Sequence, residues 1–315
     1  MSYDVVHVPG RICLFGDKVD LMGRPVIAAA VSTTLRLEFK KRDDDVVVLE
    51  SKNTGERHAL KVGDPANYEC DLKYWFALLK RVEPHVTSGF EAILDSDIPI
   101  GAGLSSSAAI SVAFARALNH LFELGWDGGT VAEMAYLAEH DDLGIQCGRM
   151  DQYAIAWGGV TYIETGEQPR VTPLKVPPMP LVVGDSQEER RAETILNRVK
   201  RNILDGDPET LEAFDQIYEV VLKGRRALER GDFEEVGALM NHQQKQEGVL
   251  KADTPKLNLL CRRAIEAGAY GAKQMGAGGG GCMVAVCPPE KQADVAKAIE
   301  RAGGKPWTFD VFFYD

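Results

Sequence analysis

The sequence lacks several features that define whole classes of protein. It contains no G-x-x-x-x-G-K-[ST] motif, which excludes a Walker-type phosphate loop with its lysine. No apolar run reaches the roughly 20 residues of a membrane-spanning helix. The start, MSYDVVHVPGR, has neither the charged nor the apolar segment of a signal peptide. Only 36 basic residues oppose 47 acidic ones, which argues against a general nucleic-acid-binding protein. We therefore expect a soluble, cytoplasmic protein with neither nucleic acid nor membrane as partner.

The six cysteines show no metal-binding or disulfide pattern. No two of them have C-x-x-C spacing, and several lie in apolar runs such as 282-CMVAVC-287. This arrangement is typical of reduced, buried thiols in a cytosolic protein, and it favours neither a zinc site nor a disulfide framework. Apolar residues make up 45% of the 315-residue chain, enough to bury the core of one large domain or two ordinary ones.

Short apolar and β-branched runs dominate the first half of the chain. They predict strands near residues 5–8, 26–31, 35–39, 46–49, 88–94 and 159–165. From about residue 175 charged helical patterns take over, and a helix from Pro289 to about Ala302 precedes a last strand near 307–313. These mixed elements with little strict β-α alternation predict an α+β fold in two lobes.

Capping residues mark the predicted helix starts. Thr130 and Glu133 have the spacing of a capping box for a helix that reaches about Asp142. Later helices are predicted after three polar caps, two of them followed by proline: Asp207, Asp232 and Thr254.

The segment 99-PIGAGLSSSAAISVAFARALNHLF-122 leads from a glycine turn directly into an apolar helix. Gly101 and Gly103 let the backbone turn tightly and approach a ligand, while the helix start offers free N–H groups and a positive dipole end. One serine is enough to cap a helix, so three consecutive serines at 105–107 need a further reason. Their hydroxyls are short donors, and one can ligate Mg²⁺. The pattern indicates a phosphate site; the alternative is a glycine turn and serine cap without a ligand.

A second glycine-rich segment lies near the C-terminus. Gly276, Gly278 and Gly281 match G-x-G-x-x-G, but a dinucleotide fold needs a helix after this motif, and the β-like run 282-CMVAV-286 follows instead. We interpret the segment as a loop between a helix and a strand whose backbone can approach a ligand. Purely structural glycines are the alternative.

Two further segments carry candidate charges. Asp151, in 147-CGRMDQYA-154, is interpreted as a loop residue after an acidic helix. Alone it would be a turn residue or a cap, but beside a phosphate site it could serve as the base or orienter of phosphoryl transfer. In 10-GRICLFGDKVDLMG-23, Arg11 begins an apolar run and charged residues gather at its end. They either face a pocket or form the solvated turn of a hairpin.

Three of these segments occur in the order and at the separations of the motifs of one family. They are 10-GRICLFGDKVDLMG-23, PIGAGLSSSAA and 271-GAKQMGAGGGGCMVAV-286, and through them the chain resembles the GHMP kinases. That family includes galactokinase, homoserine kinase, mevalonate kinase and phosphomevalonate kinase. The resemblance implies a kinase that uses ATP and Mg²⁺ on a small-molecule acceptor, as a monomer or homodimer. It also implies an N-terminal ATP-binding lobe like ribosomal protein S5 domain 2 over residues 1–174, and a ferredoxin-like C-terminal lobe over residues 175–315.

The resemblance assigns roles residue by residue. Asp151 matches the catalytic aspartate, and Arg11 matches the basic residue that pairs with it and with the transferred phosphoryl group. Ser107 and Glu139 match the two Mg²⁺ ligands. The loop around the ATP phosphates matches Gly101, Ala102, Gly103, Leu104, Ser105, Ser106 and Ser107. The positions that contact the acceptor match Asp17, Lys18, Asp20, Asp151, Gly278 and Gly279.

Within the family the residues point in two directions. Arg11 and CGRMDQ are similar to galactokinase, whereas the modest length and the segments 158-GGVTYI-163 and 182-VVGDSQEERRAETILNRV-199 favour mevalonate kinase. Galactokinases read G-E-H-x-D-Y in the first motif, but this chain has Asp17, Lys18 and Leu21 at the changed positions, which argues against galactose.

We therefore predict a sugar kinase acting on the anomeric hydroxyl. The alternatives are a mevalonate-type alcohol kinase and a non-catalytic relative that senses ATP or sugar. Lys18 is expected either to contact the acceptor or to pair internally with Asp17 or Asp20, because a lysine is a fixed cation with three donors and no acceptor.

Overall fold

The computed structural model describes residues 2–99, 102–189 and 191–314, and the chain divides into two compact units. The first unit contains residues 2–10, 33–99 and 105–157. The second contains residues 11–32, 102–104, 158–189 and 191–314. Both mix helices with strands, so the α+β class is confirmed. The units interleave along the sequence, and the proposed domain boundary at residues 174/175 stays a prediction.

Two long strands belong partly to each unit. Strand β1 (Asp4–Phe15) passes from the first unit into the second, and β2 (Val26–Lys41) passes from the second into the first. The runs at 26–31 and 35–39 were predicted as separate strands but form this single 16-residue strand. No glycine or proline interrupts the β-branched residues between the two runs, which explains the merger.

In the first unit, β2 pairs antiparallel with β5 (Phe90–Ser96), which pairs parallel with β3 (Val46–Ser51). Strand β4 (Arg57–Lys61) forms a hairpin with β3. Helix α1 (Lys73–Val82) lies on the connection between the parallel strands, as a crossover requires. The rings of Trp75 on α1 and Phe114 stack with centroids 4.7 Å apart and anchor the core of this unit.

Three more helices complete the first unit: α2 (Ser106–Leu121), α3 (Gly128–Leu137) and α4 (Met150–Trp157). Helix α3 continues as a π-helical turn over Ala138–Asp142, so the helical segment ends where predicted. Its start differs from the prediction. The carboxylate of Asp127 accepts the backbone N–H of Thr130, which makes Asp127 the cap and places Thr130 inside the helix.

In the second unit, the first half of β2 pairs with β6 (Val160–Glu164), and β6 pairs with β7 (Arg170–Leu174). A separate antiparallel sheet has the order β11-β8-β10-β9. Its strands are β8 (Leu181–Asp185), β9 (Gly271–Gln274), β10 (Cys282–Val286) and β11 (Lys305–Phe309).

The helices of the second unit are α5 (Ala192–Leu204), α6 (Pro208–Arg230), α7 (Phe233–Val249), α8 (Pro255–Glu266) and α9 (Gln292–Arg301). The predicted caps Asp207, Asp232 and Thr254 are confirmed, because each side chain accepts a backbone N–H in the first turn of its helix. The apolar faces of α8 and α9 pack on strands β8 and β10 and form the core of this unit.

Two predictions from composition concern membrane-spanning helices and the burial of the cysteines. None of the helices in the described ranges is long and apolar enough to cross a membrane. Four cysteines are buried free thiols, but Cys70 and Cys147 are only half-buried, so the prediction of buried thiols is wrong for these two.

Candidate active site

Ser105, the residue that precedes helix α2, does not cap the start of this helix with its side chain. Ser105 has a left-handed backbone (φ 59°), and its hydroxyl points away from the helix N–H groups. It donates a 2.5 Å hydrogen bond to Oδ2 of Asp151 instead. The helix start therefore keeps N–H groups for an anion, together with the positive end of its dipole.

Asp151 lies in the first turn of helix α4, which corrects its interpretation as a loop residue. The position of α4 is braced by Arg149, whose guanidinium makes two 2.9 Å contacts with the Glu133 carboxylate of α3. The hydroxyl of Tyr153 donates to the same carboxylate at 2.7 Å. Glu133 thus joins two helices and does not complete a capping box. This bracing fixes the backbone that presents Asp151.

Glu139 lies in the π-helical turn after α3 and is only 2% exposed. Nε2 of Gln152 donates to it at 2.9 Å, and the nearby hydroxyls of Ser111 and Ser107 lower its pKa, while the Ser111 hydroxyl donates to the Ser107 carbonyl at 3.2 Å. Burial raises the pKa of this carboxyl from 4.5 to about 7, with a smaller contribution from the charge of Asp151. Glu139 is thus surrounded by neutral amide and hydroxyl groups, with the negative charge of Asp151 nearby.

The Ser107 hydroxyl also lies near the phenol of Tyr74, whose pKa it lowers slightly. Burial, with the charge of Glu139 as a smaller cause, raises the pKa of Tyr74 to about 12. Ser107 and Glu139 together offer hydroxyl and carboxylate oxygens, the donor types that Mg²⁺ prefers. Ser107 thus lies near Glu139, and the oxygens of the predicted pair fit this cation. Their role as ligands stays a prediction.

Arg11, in the second unit, supports the end of the phosphate-loop segment. Its backbone N–H donates to the carbonyl of Leu104 at 3.1 Å, and its guanidinium donates to the carbonyl of Gly103 at 2.6 Å. Gly103 has a left-handed backbone (φ 79°), which favours glycine. Ala102 is buried, and Gly101 lies outside the described residues. The predicted pairing of Arg11 with Asp151 stays a prediction.

Asp17 is completely buried in the second unit and has several polar partners. Its Oδ2 lies 2.5 Å from Nζ of Lys273 and accepts Nε2 of Gln243 at 2.8 Å, and its Oδ1 accepts the backbone N–H of Gly276. Burial pushes the pKa of Asp17 upward, but the charges of Lys273 and Lys18 outweigh it and hold the pKa below its ordinary value. Asp17 is therefore an ionised group that anchors the second glycine loop.

Lys18 pairs with neither Asp17 nor Asp20, the two partners that the sequence suggested. Its ammonium lies 2.6 Å from the Glu247 carboxylate and donates to the carbonyl of Gly276 at 2.9 Å. The residue is only 4% exposed and has a left-handed backbone (φ 72°). Asp20 is half-buried in the short 3₁₀ turn that follows.

We call the four residues Asp17, Lys18, Glu247 and Lys273 the buried charge cluster. Its two acids and two bases balance, and each acid lies in contact with one of the bases. Gln243 and Gln274 donate to Glu247 at 3.4 and 3.1 Å and extend the network. Such pairing is what permits charges to be buried, because an unpaired buried charge is very costly. Whether Asp17, Lys18 or Asp20 contacts an acceptor stays a prediction.

The second glycine loop, residues 276–281, connects β9 with β10, so the predicted helix before it is wrong. A strand follows it, as predicted, which excludes the dinucleotide-binding arrangement. Gly278 has φ 82°, and a side chain there would place its Cβ 2.1 Å from the carbonyl of Ala252. Gly279 donates its N–H to the same carbonyl at 2.7 Å. These glycines thus have a packing role, and acceptor contact by Gly278 and Gly279 stays a prediction.

Sequence reasoning missed several members of this site. Ser111 is four residues after Ser107 on one helix face, a spacing that could have identified it. Lys273 is a charge within a short apolar strand next to the glycine loop, which is also a usable signal. Glu247 and Tyr74 give no such signal, because charged and aromatic residues are common at any position of a helix such as α7 or α1.

Comparison with known proteins identifies the class to which this fold and these motifs belong. The family model for the GHMP kinases N terminal domain matches residues 73–159, and the model for the GHMP kinases C terminal domain matches residues 225–305. The mevalonate kinase of Thermococcus sibiricus is 32% identical over 320 residues, which cover 96% of this chain and 94% of that protein. The chain belongs to the GHMP kinase family. It is a phosphotransferase with an alcohol group as acceptor and ATP as donor.

Two further similar proteins are named as kinases of sugars. The D-glycero-alpha-D-manno-heptose 7-phosphate kinase of Campylobacter jejuni is 26% identical, over 89% of this chain and 86% of that protein. The crystal structure of Lactococcus lactis galactokinase complexed with galactose superposes with a TM-score of 0.85 over 98% of this chain and 94% of that one. At 20% identity that likeness shows the fold alone.

Proposed function

We propose that the protein transfers the γ-phosphoryl group of ATP to a hydroxyl of a small sugar, with the anomeric hydroxyl as the first candidate. The hydrogen bond between Ser105 and Asp151 carries this proposal. It holds a carboxylate beside the mouth of helix α2, where phosphates would bind. The same carboxylate belongs to the segment CGRMDQ, which is similar to the corresponding motif of galactokinase.

Each residue then has a distinct task. The N–H groups at the start of α2 bind phosphate oxygens, and Ser105 orients Asp151 through its hydroxyl. Asp151 accepts or orients the proton of the attacking hydroxyl, a role that typically contributes about 10²–10⁴-fold to the rate. Arg11 contributes positive charge to the phosphoryl group and shapes the loop through the Gly103 carbonyl.

Ser107 and Glu139 would hold Mg²⁺. The fit rests on Glu139, a buried carboxyl whose pKa is raised to about 7 among hydroxyl and amide groups. A cation beside it would favour the ionised form. When bound, Mg²⁺ supplies positive charge that neutralises the phosphate oxygens.

A mevalonate-type alcohol is the second candidate acceptor. The 32% identity with a mevalonate kinase over nearly the whole chain favours it. Mevalonate is a carboxylate, however, and the pairing of Lys18 with Glu247 already neutralises that ammonium, so Lys18 does not favour an anionic acceptor. The third alternative from the sequence, a non-catalytic sensor, is not supported, because the relatives that match nearly the whole chain are named as kinases.

The test is a coupled ADP-release screen over hexoses, pentoses, uronic acids, amino sugars, heptose 7-phosphate, mevalonate and homoserine. We expect a sugar to give the highest kcat/KM. Its product should lack a reducing end, because the phosphoryl group then occupies the anomeric oxygen. A product that keeps its reducing end would exclude the anomeric hydroxyl. A clear preference for mevalonate would establish the second candidate instead.

A further inference from the structure

Three side chains of different chemical types meet in the first unit, on residues that the kinase site does not use. They are Glu56, His58 and Cys70, and one potential ligand atom of each lies within 4.8 Å of the other two. All three side chains are half-buried. Nitrogen, sulfur and carboxylate oxygen together form a donor set that Zn²⁺ accepts and that Mg²⁺ and Ca²⁺ do not favour.

Local structure explains why two of these groups point the same way. Glu56 immediately precedes strand β4 and His58 is the second residue of that strand, and their side chains meet on one side of the chain. Nε2 of His58 lies 3.0 Å from Oε1 of Glu56. The histidine ring packs edge-on against Phe76 of helix α1, with ring centroids 5.4 Å apart. The pair is thus oriented before any ion binds.

Cys70 comes from the segment that leads into α1. Its Sγ donates to the carbonyl of Asn67 at 3.4 Å, which holds the thiol near the pair. The second carboxylate oxygen of Glu56 accepts the backbone N–H of Leu72 at 3.1 Å, so Glu56 already links β4 to the start of α1. The ligands therefore have supporting contacts of the kind that orient metal-binding side chains.

The spacing is close to what a tetrahedral site requires. Zn–S bonds of about 2.3 Å and Zn–N or Zn–O bonds of about 2.0 Å place neighbouring ligand atoms roughly 3.3–3.6 Å apart. The histidine–glutamate distance of 3.0 Å is already near that value, and the thiol, at most 4.8 Å from the other two atoms, has to come closer by up to about 1.3 Å. Three protein ligands leave the fourth position to water.

We propose that Glu56, His58 and Cys70 form a Zn²⁺ site that fastens strand β4 to the segment before helix α1. Without a cation the thiolate form of Cys70 is disfavoured, since burial and the charge of Glu56 raise the pKa of the thiol. A divalent cation offsets both effects and favours thiolate ligation. The missing C-x-x-C motif does not argue against the site, because its ligands come from two separate segments and only one of them is a cysteine.

The test uses the full chain, reduced and freed of metal, titrated with Zn²⁺ alone against a chromophoric chelator. We expect one tight equivalent, weakened on the order of 100-fold in each of Cys70→Ser, His58→Gln and Glu56→Gln. Co²⁺ alone should produce a thiolate-to-cobalt charge-transfer band that disappears in Cys70→Ser. Zn²⁺ should raise the Tm of the wild type but not of the three variants.

Matched controls are Cys147→Ser, which removes another half-buried thiol, and His85→Gln, which removes an exposed imidazole. Both should keep the tight equivalent and the cobalt band. The conservative variants keep the size of each side chain, and circular dichroism verifies their folding. Equal Zn²⁺ affinity in wild type and Cys70→Ser, or a cobalt spectrum without the charge-transfer band, would overturn the proposal.

Discussion

The hydroxyl of Ser105 and the carboxylate of Asp151 are joined by a 2.5 Å hydrogen bond although 46 positions separate them in the sequence. The bond connects the residue before helix α2 with the first turn of helix α4. It explains why Ser105 does not cap its helix and why more than one serine stands there. Ser105 orients Asp151, and Ser107 lies near Glu139 and favours its ionised form, so the helix N–H groups are left for a ligand.

Asp151→Asn should lower kcat by about 10²–10⁴-fold while ATP still binds, because the amide keeps the size but loses the proton acceptor. The measurement is kcat together with the Kd for ATP. Asp95→Asn removes an exposed carboxylate of the same unit and should leave both unchanged. A variant that keeps more than about a tenth of the wild-type rate would remove Asp151 from the catalytic role.

Ser107→Ala should weaken the use of Mg²⁺ and ATP while the fold stays intact. The lost hydroxyl lies near Glu139 and Tyr74 and is not the helix cap, so the free energy of unfolding should fall by about 1 kcal/mol or less. Turnover should fall much further, with a raised Mg²⁺ requirement, in a titration of rate against free Mg²⁺. Wild-type turnover at saturating Mg²⁺ and ATP would contradict a role for Ser107.

Glu139 predicts a pH dependence of stability in metal-free protein. Its pKa is about 7 in the folded state against an ordinary 4.5, so the folded state holds a proton that the unfolded state has lost between these values. Stability from this group is therefore present below about pH 4.5 and is lost as pH rises towards 7. Over this pH range the free energy of unfolding of Glu139→Gln should therefore decline by up to about 3 kcal/mol less than that of the wild type. The measurement is urea unfolding in EDTA from pH 4.5 to 8. Parallel curves of unfolding free energy against pH for the wild type and Glu139→Gln would contradict the prediction.

Lys18→Met should destabilise the protein by about 3–5 kcal/mol, because it leaves Glu247 buried without its partner. The double variant Lys18→Met/Glu247→Leu should recover most of this loss, since both charges are removed together. Lys80→Met breaks a surface pair with Glu83 and should cost less than about 1 kcal/mol, because Lys80 is 61% exposed. Urea unfolding of all four proteins tests the pairing. A double variant no more stable than the single one would show that Lys18 acts through other contacts.

The sequence was sufficient where a local signal determines structure. Asp207, Asp232 and Thr254 cap their helices because a short polar side chain reaches the first-turn N–H in any context. The three glycine- and charge-rich motifs led to the family for a similar reason, since phosphate loops require particular residues at fixed spacing.

Contacts between distant segments could not be predicted. Thr130 and Glu133 have capping-box spacing, yet Asp127 caps the helix and Glu133 binds Arg149, a partner 16 residues away. Lys18 was expected either to contact the acceptor or to pair with a neighbouring aspartate, but its ammonium pairs with Glu247, more than two hundred positions later. The partner of a buried charge depends on which helix packs against it, and neither periodicity nor local spacing contains that information.

The most direct test of the account is mass spectrometry of the acceptor pool after incubation with ATP, Mg²⁺ and the acceptor panel. The account predicts a new phosphomonoester of one acceptor, formed in step with ADP by the wild type and reduced at least about 100-fold with Asp151→Asn. ADP formed at the same rate with and without acceptor, and no phosphorylated acceptor, would contradict it.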